Sequence, residues 1–187
     1  MYSARSRYAS GSTDGFVKTK EDTDMAFREV RRNRKQILAK KECEEILGRM
    51  TSGVLCLLGD DDYPYGVPLS YAYEDGKLYF HSMPAGHKMD ALKKHDKASF
   101  TVIETDNIVP SEYTTYYRSV IVFGRIRILE SDEDKIKGLD KLVDKYSADY
   151  KEGSAYEINS KLKAVCVFVL EAEHISGKEA IEFAEAR

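Results

Sequence analysis

His81, His87 and Lys88 stand within eight residues of one another, in the run HSMPAGHK. An imidazole titrates near neutral pH and can hold, give or take a proton there. A lysine brings a compact positive charge and three N–H donors. Gly86 precedes His87-Lys88, where a loop turns into a helix predicted over His87 to His95. Glycine gives the backbone the freedom that such a turn needs. A helix N-terminus offers unpaired N–H groups and a partial positive charge, so a lysine in the first turn is disfavoured unless an anion lies beside it. The corner suits a phosphate, and a phosphorylated cofactor is the leading reading. His81, between Phe80 and Ser82 at a strand end, has two readings: a hydrogen-bonded core histidine, or a proton-handling residue beside a bound molecule.

Other candidate chemistry is weaker. Asp60-Asp61-Asp62 suggests a metal loop, but the spacing lacks the rest of a calcium motif. A solvated turn is the better reading, with Pro64 following. Cys43, Cys56 and Cys166 form no CxxC or Cys/His cluster; Cys56 and Cys166 lie in apolar strands and read as inert core thiols. His95 and His174 read as structural. No Ser–His–Asp order, GxGxxG or Walker motif is present. The basic run Arg28, Arg31, Arg32, Arg34 and Lys35 reads as a solvated arm lying on a partner subunit rather than a nucleic-acid contact.

The elements that must position these residues follow from periodicity. Tyr65 to Tyr73 and Lys77 to Ser82 alternate as two strands, and Asp75-Gly76 between them is a strong hairpin signal. Lys40 to Met50 has helical spacing, with Cys43, Ile46, Leu47 and Met50 on one side. Val54 to Leu58, Ala98 to Glu104, Tyr116 to Glu130 and Val165 to Leu170 read as strands. Asp106 to Thr115 reads as a loop, and Gly124 as a bulge or close backbone approach. Asp132 to Tyr146 is an amphipathic helix with Ser131 as N-cap. Tyr156 to Leu162 and Lys178 to Ala186 read as short helices. The fold class is mainly β (α+β): a small barrel of about six antiparallel strands with peripheral helices.

Composition bounds the rest. A chain of 187 residues with 42% hydrophobic residues can bury one core unaided. Residues 1 to 24, rich in Ser, Thr, Gly, Asp and Lys, read as a flexible leader, and 25–187 as a single domain. The net charge of −3 argues against a dedicated nucleic-acid binder. Three cysteines, no membrane-length apolar run and no secretory h-region point to a cytoplasmic protein with reduced thiols, away from any membrane.

Four segments in this order resemble one family: YPYGVPLSYAYEDGKLYFHS (Tyr63 to Ser82), GHKMDAL (Gly86 to Leu92), YYRSVIVFGRIRIL (Tyr116 to Leu129) and HISGKEA (His174 to Ala180). The chain resembles FMN-binding split β-barrels of the pyridoxamine 5′-phosphate oxidase superfamily, nearest their nitroimidazole-resistance (Nim) branch, over roughly Phe27 to Ala184. The resemblance implies a homodimer holding two FMN molecules, each in a groove at the subunit interface. It implies that Val67, Pro68, Leu69 and Ser70 run along the isoalloxazine, and that His81 and Ser82 end the next strand beside it. His87 and Lys88 fall where two basic residues often hold the phosphate, with His in one of the two places here. Tyr117, Arg118, Ser119 and Val120 would approach from the other subunit, Arg118 equally reading as an interface ion-pair residue. Nim proteins carry a histidine near the flavin at the position of His81, which puts His81 beside the ring, either as a proton donor to a reduced substrate or simply packing and hydrogen-bonding there. The substrate-binding RxH pattern of true pyridoxamine-phosphate oxidases is missing from the ending SGKEAIEFAEAR.

The function implied is an FMN-dependent oxidoreductase, reduced by a donor such as NAD(P)H and passing electrons to a small nitroaromatic or similar acceptor. The alternatives are a flavin-binding or sensing module without turnover, and a haem-binding split barrel with His81 or His87 as axial ligand. A deazaflavin would fit the same residues.

Overall fold

The computed structural model describes residues 27–31 and 34–186. The leader read over 1–24 lies outside them, as do Arg32 and Asn33 of the basic run. The elements in chain order are α1 (Lys40–Arg49), β1 (Ser52–Leu58), β2 (Pro64–Ser70), β3 (Ala72–Glu74), β4 (Lys77–Ser82) and α2 (His87–Lys94). They continue with β5 (Lys97–Val109), β6 (Thr114–Ile128), α3 (Asp132–Tyr146), α4 (Lys151–Lys161), β7 (Cys166–Glu179) and α5 (Ile181–Glu185).

The strands form one antiparallel sheet of seven, in the order β2-β1-β5-β6-β7-β4-β3. Its two edge strands, β2 and β3, are joined by the single residue Tyr71, so the edges must meet there and the sheet curls into a split barrel. Pro64 and Pro68 sit in β2, where an edge tolerates a missing donor. The barrel fills with aromatic rings. Tyr71 and Phe80 meet the Phe100 ring edge-on at 4.8 and 5.3 Å, and Phe80 stacks on Phe168 at 5.1 Å. Tyr71 is fully buried, and its hydroxyl donates to the Leu47 carbonyl at 2.8 Å, tying α1 to the seam.

Most sequence expectations hold in kind. Asp75 and Gly76 both take positive φ (45° and 77°), as a tight hairpin turn requires. Ser131 caps α3, accepting the Asp134 N–H at 3.1 Å. The β6–β7 register shifts at Phe123/Gly124, and a Cβ on Gly124 would lie 2.0 Å from the Glu171 carbonyl oxygen, which is why glycine stands there.

The differences share a cause. The loop expected over Asp106 to Thr115 is mostly strand: β5 runs to Val109 and β6 starts at Thr114, leaving a tip of Pro110–Glu112 and a left-handed Tyr113. β7 runs nine residues past the expected end at Leu170. In both places polar residues pair along a neighbouring strand, so backbone pairing holds the conformation where side-chain patterning gives no signal. Glu179 therefore finishes β7 and the last helix begins only at Ile181. The helix expected at Tyr156 starts at Lys151, and the strand read through Tyr73 breaks at Tyr71. Tyr113 is 98% exposed at the hairpin tip in the single chain. Among the described residues no helix is long and apolar enough to cross a membrane.

Candidate functional site

Gly86 enters α2 with φ 111°, a conformation that favours glycine. Its carbonyl accepts the Met89 N–H at 2.8 Å and the Asp90 N–H at 3.1 Å, so the N–H groups of His87 and Lys88 precede the helical ladder. Buried Met89 and Leu92 anchor the helix to the barrel. That packing draws Lys88 partly inside, with its Nζ 6.0 Å from the centre of the Phe168 ring. Desolvation lowers its pKa, and among the described residues no carboxylate pairs with it. A half-buried ammonium beside free helix N–H groups fits an anion.

β4 delivers His81 and Ser82 to the same corner, opposite Val167 and Cys166 of β7. The strand turns Phe80 into the core and His81 outward. The His81 pKa is lowered, first by desolvation and then by the charge of Lys88. The imidazole is therefore held neutral at neutral pH, with one donor and one acceptor nitrogen. Ser82 Oγ donates to the Met83 carbonyl at 2.8 Å and lies 3.5 Å from Met89 Sδ. The Cys166 thiol is raised by burial, against the opposing charges of Lys135, Lys93 and Lys88. Burial likewise pushes Cys43 up to about 11, and both thiols are poor nucleophiles.

His87 turns the other way. Its ring stacks on Tyr65 at 4.2 Å, and Nε2 lies 3.7 Å from Asp60 Oδ2. Asp60 also pairs with Lys94 at 2.9 Å, and that hydrogen bond leads the lowering of its pKa. The aspartate turn thus works as an ion-pair anchor for α2; no metal-ligating group of three or more acidic, His or Cys residues occurs among the described residues.

Along β2, Val67 and Leu69 face the barrel while Pro68 and Ser70 face out. As an edge strand paired only with β1, β2 leaves its outer row of backbone groups free for a ligand. Ser70 and His81 then share the wall of a cavity of about 480 Å³, roofed by α3 and α4 through Leu139, Leu142, Val143 and Ile158. Sequence periodicity marks Asp132 to Tyr146 as amphipathic. An apolar helix face reads the same whether it meets side chains or lines a cavity, so no sequence signal separates the two.

The β6 candidates lie elsewhere. The side chain of Val120 is fully buried in the core, which leaves only its backbone to a ligand. Arg118 pairs with buried Glu179 at 2.8 Å and with Glu104 at 3.4 Å, the intrachain form of its ion-pair reading. Tyr117 lies 5.3 Å under Lys178 Nζ, and Ser119 sits opposite Lys178. His81 pairs at Val167, so eleven residues of β7, or about 36 Å of strand, separate the two groups. One chain does not bring them together.

The pyridoxamine 5′-phosphate oxidase profile matches residues 39–179. A 5-nitroimidazole antibiotic resistance candidate from Bacteroides thetaiotaomicron has a TM-score of 0.65 at 23% identity, over 76% of this chain and 86% of its own. An FAD-binding protein from Mesorhizobium loti has a TM-score of 0.56 at 29% identity, over 78% of this chain and 97% of its own. An uncharacterized protein of Rhizobium meliloti is 31% identical over 100 residues, which are 52% of this chain. The matched stretch spans about 60% of that relative's length. With a match over most of its length and a seven-stranded split barrel to go with it, the chain belongs to the pyridoxamine 5′-phosphate oxidase family.

Proposed function

We propose that the protein binds FMN and acts as a flavin-dependent oxidoreductase. The observation that carries this reading is Lys88: a half-buried ammonium without a carboxylate partner among the described residues, beside the open N-terminus of α2. A phosphomonoester carries nearly two negative charges at neutral pH and matches that corner. The outer backbone of Val67, Pro68, Leu69 and Ser70 would meet the flat ring, with His81 and Ser82 at its edge. His87 would add to the phosphate site only by leaving Tyr65 and Asp60. The second wall would come from a homodimer partner, through the outer face of β6 at Tyr117 and Ser119, with Arg118 holding the strand in place.

A bound flavin supplies two-electron transfer between a donor such as NAD(P)H and a small acceptor such as a nitroaromatic. The protein's share is to orient the ring and exclude water. Neutral His81 would offer one N–H donor and one acceptor nitrogen to the molecule beside it, and could pass a proton on only while its free nitrogen takes one up from solvent. FAD is the second reading, because the Mesorhizobium loti protein is described as FAD-binding and a pyrophosphate would meet the same cation and helix N-terminus.

The test is fluorescence titration of FMN and FAD into the wild type and Lys88→Ala. Loss of the charge-assisted contact should cost roughly 1.5–3 kcal/mol, about ten- to 150-fold in Kd. An unchanged Kd removes Lys88 from the phosphate site. Anaerobic bleaching of the bound flavin by NADH or NADPH would separate an enzyme from a binding module.

A further inference from the structure

The cavity between the sheet and the α3–α4 pair has a composition that the flavin reading leaves unused. Its volume is about 480 Å³, the size of a small-molecule site. Leu139, Leu142, Val143, Ile158 and Val165 make its apolar wall. Its two charged residues, Glu157 and Lys161, pair with each other one helical turn apart on α4. The Tyr146 hydroxyl is also taken, by the backbone of Tyr71 and Thr51. Lys88 does not line the cavity. Neither an unpaired cation nor an unpaired carboxylate therefore faces this space among the described residues. What remains on its wall is His81, with one donor and one acceptor, and the hydroxyls of Ser70 and Ser147.

We propose that this cavity is the second-substrate pocket and that it takes an uncharged, largely apolar ring molecule whose single heteroatom meets His81. The role as substrate pocket rests on the flavin reading above; the ligand class rests on the cavity alone. A phosphate ester or carboxylate would lose its hydration against a largely apolar wall, with only Lys161, already paired with Glu157, to answer its charge. The pocket thus departs from the phosphorylated substrate after which the family is named. α4 sets the outer limit of the ligand. Among its residues only Ile158 is buried, so the helix holds on by few side chains while forming a wall.

Two probes with one ring system test this: 2-naphthol, uncharged at pH 7, and 2-naphthoate, which carries a carboxylate. Binding to the full-length protein is measured by calorimetry, with and without saturating FMN, alongside the FMN Kd. The expected result is naphthol binding at least about tenfold tighter than naphthoate, in the presence of FMN. Ile158→Trp, which fills the pocket, should weaken naphthol by about tenfold or more and leave the FMN Kd unchanged. Val143→Phe on α3 gives the same test should the α4 variant lose helix by circular dichroism. Equal or tighter naphthoate binding, naphthol binding indifferent to both filling variants, or displacement of naphthol by FMN would each overturn the proposal. Selective naphthol binding by a protein that takes up no flavin would support the ligand class and sink the flavin reading instead.

Discussion

At the corner of β4 and α2 the charge of Lys88 bears on the protonation of His81. The His81 pKa is lowered first by desolvation and second by Lys88. Lys88→Ala should therefore raise the His81 midpoint part of the way back toward 6.5, followed by the imidazole proton shifts in NMR. A midpoint that stays put would mean that the two side chains do not sense each other. The same shift links to stability. Above the ordinary histidine pKa both folded and unfolded chains carry His81 neutral, and its contribution to stability is fully present. As pH falls below 6.5 the unfolded chain takes up a proton that the folded chain resists, and stability is lost until the lowered folded pKa is passed. His81→Phe should flatten that limb of the urea midpoint against pH. Lys145 behaves differently: burial brings it down to about 8, its ammonium 4.1 Å from the Tyr71 ring centre and donating to the Met50 carbonyl at the end of α1. Sequence reading found Lys88 and His81 because their spacing has chemical meaning. It passed over Lys145, whose environment is built from the end of α1 and the Tyr71 ring, both far away in sequence.

At the scale of elements, the barrel depends on two points where backbones come unusually close. One is the bulge at Gly124. Alanine there would push a methyl into the Glu171 carbonyl, 2.0 Å away, and β6 and β7 cannot part without breaking their ladder. Gly124→Ala should lower stability by roughly 1–3 kcal/mol or more, read as a fall in the urea midpoint. An unchanged midpoint would show that the bulge has room. The other point is the seam at Tyr71, which lies in no strand and needs partners for its backbone. Tyr146 provides them: its hydroxyl accepts the Tyr71 N–H at 3.1 Å and faces the carbonyls of Tyr71, at 2.7 Å, and Thr51. Tyr146→Phe should cost about 1–3 kcal/mol for those orphaned groups, and a wild-type melt would refute the clamp. The bulge was legible in the sequence, because an isolated glycine in a β-branched strand marks a bulge or a close approach of two backbones. The seam was not. Tyr65 to Tyr73 alternates without a visible break, and only the closing of the barrel shows that the chain changes edges at Tyr71. The long β5–β6 arm was hidden for a related reason: Asp106, Asn107 and Ile108 are exposed on it, and their pairing with Tyr117, Tyr116 and Thr115 is invisible to composition.

The whole molecule decides whether the two groups of candidate residues form one site. Within a chain, the β4–α2 corner and the outer face of β6 attach to opposite ends of β7. A site that uses both must draw one from a second copy. Ser119 points away from the core, since its neighbour Val120 is fully buried, so Ser119→Trp should block a flavin reaching that face without unpacking the barrel. Lys88→Ala weakens the other half. In a shared interface site, a mixed dimer of the two variants contains one doubly altered site and one fully wild-type site. Refolding the two variants together, so that half of the dimers are mixed, should restore tight FMN binding at about a quarter of the sites. Neither variant refolded alone should show it. If both groups served one site within a single chain, every chain would carry one lesion and mixing would restore nothing. Ser119→Trp protein that binds FMN as tightly as wild type would remove β6 from the site altogether. The count of tight sites after mixing therefore reads the architecture of the assembly directly, without knowledge of donor or acceptor.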